Sequence, residues 1–178
     1  MMIVDDDAVA LGSKGAREKA GSKELISRDD RAARFVTFII GQGMYAIEAV
    51  HVQEIVKMTD ITHVPNGPRF MKGIINLRGF IVPVIDLRMK FGLEEKEYTG
   101  FTVIIIVEVK GSLSGMIVDA VSDVIAIREE SINEATTHYR AEIDMNYIKG
   151  VGKVDDDLII IMDAESIMKE KQLTGLPV

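Results

Sequence analysis

The chain has 178 residues, 47% of them hydrophobic, enough for one compact domain or two small subdomains sharing a core. A formal net charge of -7 with no basic stripe argues against nucleic acid as a partner, and the absence of cysteine excludes disulfides, thiolate zinc sites and cysteine nucleophiles. The opening MMIVDDDAVA carries acids where a secretory signal has a basic region, and the longest apolar runs fall short of the roughly 20 residues of a spanning helix, so the expected compartment is the cytoplasm.

In chain order, residues 1–33 read as a flexible arm: no aromatic, 7 acids against 6 bases up to Arg31, and little apolar surface to offset ordering. A short helix over residues 16–26 is the one element this stretch could form, weakened by Gly21. From Phe35 the punctuation is that of a β protein. FVTFII and MYAIEAV, joined at GQG, predict a hairpin. VHVQEIVKM reads as a short helix or a third strand, and the Pro65–Asn66–Gly67–Pro68 cluster as a loop. The runs GIINL, FIVPVIDL, FTVIIIVEV, SGMIVDAV, DVIAI and LIIIM are rich in β-branched residues and bounded by Gly, Asp, Asn or charge. Many short strands without long helices between them predict small barrels or a sandwich. FTVIIIVEV is apolar on both faces at its centre, which places it where two layers meet. DAESIMKEKQL, with Asp163 as a capping residue, predicts one terminal helix. No internal repeat is evident.

The stretch KGIINLRGFIVPVIDLR interrupts its own core pattern. NLRG has the composition of a four-residue turn, so Arg78 falls at a hairpin corner. Pro83 cannot donate to a ladder, which predicts an edge strand or a bulge. Asp86 is placed to cap the next segment.

VQEIV (Val52 to Val56), KGIINLRGFIVPVIDLRMKFG (Lys72 to Gly92), GMIVDAVSDVIAI (Gly115 to Ile127) and YIKGVGKVDDDLIIIMD (Tyr147 to Asp163) closely resemble, in order and spacing, the CheW coupling proteins of bacterial chemotaxis. The resemblance runs from about Arg34 to Met168. It implies a mainly β fold of two five-stranded SH3-like barrels around a shared core, with short helices and one C-terminal helix. The domain would occupy residues 34–170, with its subdomain boundary near residues 90–100, its last strand returning to the first barrel, and residues 171–178 as a tail. It also implies a non-enzymatic adaptor linking the helical hairpin tip of chemoreceptors to the CheA histidine kinase. Such a protein is monomeric in isolation and part of rings with CheA, recruited to membrane-associated arrays without inserting into the membrane.

In that family the receptor tip docks along a groove between the barrels, and the matching positions here are Val52, Glu54, Arg78, Val103 and Val121. An apolar floor with charges on its rim suits an amphipathic helix. Strand valines are more often plain core. Glu54 could bond Lys72 or Arg78 to tie the subdomains together, with Glu54–Lys72 the expected structural bridge. For the kinase, the loop of Met58, Thr59, Asp60 and Ile61 is assigned to the first barrel, and Ile132, Asn133 and His138 to the second. Some relatives carry arginine and an aromatic at the last two positions, so Asn133 and His138 depart from the pattern.

Catalytic readings fail on spacing. His51, His63 and His138 lack a two-His helix pattern, so no metal is expected. GSLSG is one residue off a nucleophile elbow and precedes a strand, leaving Ser112 and Ser114 as turn residues. GVGKV ends in Val and runs into DDD, which would repel phosphate. No cofactor is expected. The competing reading is a small-ligand-binding barrel that senses a metabolite, which requires an enclosed pocket of a few hundred Å³.

Overall fold

A computed structural model describes residues 32–134 and 143–169. The arm up to Arg31, its possible helix, His138 and the tail lie outside the described residues.

Among the described residues, eleven strands form two antiparallel-rich sheets. The first contains β1 (Ala32–Ile40), β2 (Gly43–Glu48), β8 (Ala120–Arg128), β9 (Ile132–Asn133), β10 (Ile148–Val154) and β11 (Asp157–Met162), in the order β8-β1-β2-β11-β10-β9. The second contains β3 (Val52–Lys57), β4 (Met71–Leu77), β5 (Phe80–Asp86), β6 (Val103–Val109) and β7 (Ser112–Val118), in the order β3-β6-β7-β5-β4. Two short helices, α1 (Leu87–Lys90) and α2 (Ala164–Met168), follow β5 and β11. β9 has only two residues, so each sheet has five full strands. The fold is mainly β, with two SH3-like subdomains.

Each sheet closes because one chain segment serves both of its ends. β8 passes through the 3-10 turn Glu129–Ser131 into β9, which pairs with β10. In the second sheet the chain leaving β3 comes round until Thr62 bridges Ile74 of β4, with two backbone hydrogen bonds of 2.9 Å. Glycine makes both closures possible. A Cβ at Gly73 would sit 2.0 Å from the Thr62 carbonyl oxygen, and one at Gly150 would sit 2.6 Å from Ile132 Cγ2.

Alternation along the strands sorts side chains into three cores. Ile104 and Ile106 face the interior of the second barrel with Ile75, Val82, Val84 and Ile117. Phe35, Ala46, Ile127, Ile159 and Ile161 fill the first barrel. Between them lies a larger shared core that takes Val36, Phe38 and Ile40 from β1, Ile105 and Val107 from β6, and Leu87 from α1. Thus β6 is apolar on both faces because it separates two cores, as its sequence predicts. An aromatic series, Phe38, Tyr45, Phe91 and Tyr147, crosses the shared core with ring centroids 5.8–6.4 Å apart.

The FVTFII/MYAIEAV hairpin, the Arg78–Gly79 corner and the Asp163-capped helix form as the sequence predicts. VQEIVK is a strand, preceded by the 3-10 turn Ala49–His51. Other expectations are corrected. β1 takes in Ala32 and Ala33, assigned above to the arm, because they pair with Arg128 and Ile127. The chain passes between sheets at the turn Ala49–His51 and again at Asp119, whereas residues 90–100 form a connection within the second sheet. The boundary near residues 90–100 therefore does not separate the barrels. Nor is β5 an edge strand: it lies between β7 and β4. Pro83 is accommodated because Ile74, opposite it, spends its backbone bonds on Thr62, and pairing of β5 with β7 begins only at Val84. The missing N–H of Pro83 thus falls on the unpaired half of that strand edge. β11 lies in the first sheet, running parallel to β2.

Candidate functional site: the seam between the barrels

β3 carries Val52, Glu54 and Val56 toward the interior side and Gln53, Ile55 and Lys57 toward solvent. A bulge at Gln53, between the pairs Val52–Val107 and Glu54–Ile106, re-aims this strand as it enters the second barrel. Val52 packs on the shared core while Val56 packs on the barrel's own core, which leaves Glu54 between the two. Its carboxylate is reached by Arg78, whose two terminal nitrogens donate to the two Glu54 oxygens at 2.9 Å each.

Arg78 is held there at a cost. It and Gly79 form the two-residue turn between β4 and β5 with φ of 51° and 90°, a geometry suited to Asn-Gly and poor for arginine. Asn76 braces the corner, its Oδ1 accepting from Gly79 N at 2.8 Å. The guanidinium is 76% exposed, and after its bidentate bond it retains donors that face solvent.

The expected Glu54–Lys72 bridge is not the one that forms. Lys72 instead donates to Glu95 at 2.8 Å, because the connection after α1 folds back alongside β4. Glu54 and Arg78 both belong to the second sheet, so their pair closes one barrel and does not tie two together. The Lys72 hydrogen bond, reinforced by its charge, holds the Glu95 carboxyl below the usual range. Because folding lowers this pKa, the contribution is complete above the ordinary carboxylate range and fades as pH falls through the folded value. Lys72→Met should return Glu95 to ordinary titration, as read by carboxyl NMR shifts; an unchanged low value would refute the pairing. Nearby, Tyr98 donates to the buried Asp86 at 3.0 Å, and burial together with that carboxylate pushes its phenol up. Asp86 also caps α1 through Arg88 N at 2.9 Å, the role read from its position in sequence.

Val52, Val103 and Val121 are each half-buried and each pack on the rim of the shared core. They line the seam between the barrels. Along β3 and β6, Val52 pairs with Val107 and Lys57 with Val103, so Val52 and Val103 lie about 13 Å apart in the strand direction.

The residues assigned to the kinase exchange barrels. Residues 58–61 follow β3 and belong to the second barrel; Met58 and Ile61 fold half-buried onto its core, leaving Thr59 and Asp60 exposed. Ile132 and Asn133 are β9, at the edge of the first sheet.

Sequence reasoning passed over Asp119, which links the sheets. It stands at the crossover from β7 to β8 and pairs with Arg88 of α1, accepts from Gly41 N at 2.8 Å, and donates its own N–H to Ile39 O at 3.0 Å. One carboxylate thereby joins the helix of one half to the hairpin of the other. The signal was present in VDAV, an acid set inside an apolar strand run.

Among the described residues no three His, Asp or Glu side chains gather as a metal site, and no helix is long and apolar enough to cross a membrane. The cavity lined by Arg69, Met89, Gly92, Leu93, Glu94 and Glu95 holds about 290 Å³ and opens to solvent. Two interlocked SH3-like barrels presenting a half-exposed apolar seam with charge at its margin define a scaffold of the adaptor class.

The CheW-like domain family matches residues 34–172, and the chain belongs to it. Similar proteins include the chemotaxis protein CheW of Klebsiella aerogenes, 34% identical over 78% of this chain and 83% of its own. That of Bacillus subtilis is 34% identical over 81% and 92%. The crystal structure of the scaffolding protein TtCheW from Thermoanaerobacter tengcongensis is similar with a TM-score of 0.72 and 38% identity, covering 79% of this chain and 90% of that one.

Proposed function

We propose that this chain is a chemotaxis adaptor without catalytic activity, which couples the helical hairpin tip of chemoreceptors to the CheA kinase and acts in the cytoplasm at receptor arrays. The observation that carries the reading is the seam: Val52, Val103 and Val121 pack half-exposed on the rim of the shared core, and Glu54, two residues along β3 from Val52, holds the exposed Arg78 guanidinium. An amphipathic helix needs such a floor and such a rim. Kinase regulation then follows from geometry, since an adaptor holds the kinase where a receptor's conformational change alters its populations of states. Kinase contacts are assigned to Thr59 and Asp60 on the second barrel and to Ile132 and Asn133 on the first, which gives two different surfaces from which rings can be built.

The test is co-sedimentation of the chain with a receptor cytoplasmic fragment and CheA, read together with kinase autophosphorylation. Val121→Thr keeps the side-chain shape and replaces a methyl by a hydroxyl; it should weaken receptor binding about fivefold, for about 1 kcal/mol of lost apolar contact. If the wild-type chain pellets with neither partner at micromolar concentration, the reading is wrong.

A further inference from the structure

The two barrels are built from an internal duplication whose strands are reciprocally exchanged. Strand for strand, residues 70–91 correspond to residues 147–168 without a gap, and residues 34–56 to residues 103–125. The ladders obey the same mapping. Thr37–Ala46 in the first sheet corresponds to Ile106–Gly115 in the second, and the parallel pair Ile161–Ala46 corresponds to Val84–Gly115. Arg78 and Asp155 share the same left-handed backbone, with φ of 51° and 54°. Asp86 and Asp163 both cap short helices, and Phe70 O and Tyr147 O accept from Asp86 N and Asp163 N at 2.8 Å alike. Each half contributes a hairpin to one barrel and sends its next three full strands to the other, the two-residue β9 being extra in the second half, so the shared core lies on a pseudo-two-fold axis.

Under this mapping Val52 corresponds to Val121, and both line the seam. Solvent exposure follows the same symmetry: Ile55 and Val124 are 41% and 55% exposed, and Ile81 and Leu158 are 51% and 53%. Rotation by 180° about an axis through the seam reverses the direction of any rod lying across it. The Val52–Val121 pair therefore gives the floor no direction of its own, whereas Val103 has exposed Arg34 as its counterpart and is not repeated.

Charge breaks the symmetry. Where one side has the Glu54–Arg78 pair, the other has Asp123 and Asp155, followed by Asp156 and Asp157. At the hairpin corners one margin carries an exposed guanidinium and its counterpart three consecutive aspartates, with Lys153 standing where the first has Asn76.

We propose that the seam is a pseudo-symmetric cleft able to accept a helical partner in either direction, and that Arg78 on one side and Asp155 on the other select one of the two. This rests on the coupling reading above and adds the partner's polarity to it. The selected helix places acidic or neutral side chains beside Arg78 and basic ones beside Asp123 and Asp155. Electrostatic complementarity of this kind fixes register and direction more than raw affinity.

The chain has no cysteine, so one introduced at exposed Gln53 or at its counterpart, exposed Ser122, is unique. Each variant, labelled with a photo-crosslinker, is irradiated with a receptor cytoplasmic hairpin fragment, and the captured end of the fragment is read by mass spectrometry. In the parent chain, capture of a given end should differ about fivefold between the two positions, as expected for an exposed charge difference. Asp155→Arg puts the same charge at both corners, at a backbone position where Arg78 shows arginine is tolerated; the preference should fall to about twofold or less. Asp155→Asn, which suits the left-handed backbone, should lower it part of the way. A preference that survives both substitutions overturns this inference alone. Fragment that binds at neither position overturns the coupling reading with it.

Discussion

Gly73→Ala is expected to cost about 3 kcal/mol or more of unfolding free energy, read as a lowered urea midpoint. Gly73 has a φ of 146°, and an added Cβ would stand 2.0 Å from a backbone oxygen, that of Thr62, which cannot swing aside as a side chain would. Relief requires the Thr62–Ile74 bridge to open, and this bridge closes the second barrel. Gly79→Ala is the internal comparison: its φ is 90°, but nothing lies within 4 Å of an added Cβ, so only backbone strain of about 1 kcal/mol is expected. Equal costs at the two positions would mean that Thr62 does not hold β4 as described.

Arg78→Asn should separate binding from stability. Asn-Gly is the preferred pair for this turn, so the backbone gains, while the lost ion pair is an exposed one worth about 0.2–1 kcal/mol. Folding stability should therefore stay level or rise. Affinity for a receptor fragment should fall roughly tenfold, because the donors of the exposed guanidinium that Glu54 leaves free are removed from the seam's margin. Calorimetry of binding beside a denaturation curve decides it. A stability loss with unchanged affinity would make Arg78 a purely structural residue.

The turn at Arg78 also explains why sequence placed the hairpin corner and yet pointed to the wrong bridge. NLRG specifies its corner through local chemistry: Asn76 accepts from Gly79 N, and Gly79 supplies a positive φ. An arginine in the strained place of that corner is a local rule broken. Which acid it meets depends on where β3 lies, and β3 comes from the hairpin of the other barrel. Lys72 was the nearer candidate along the chain, but the fold turns it toward Glu95.

Sequence by itself determined the strands, the turns, the capped terminal helix and the doubly apolar β6, because alternation, turn residues and caps act over a few residues. The ordered motifs carried the family. Only the tertiary structure decided which barrel each strand joins, that Asp119 binds the two sheets, and that the chain is a duplication. Strand pairing is chosen by cores assembled from distant segments, so equivalent halves can keep their hydrophobic spacing, Lys72 with Lys149, Gly73 with Gly150, Asp86 with Asp163, while their surfaces diverge. The same divergence sets Arg78 against Asp155 at matching left-handed positions.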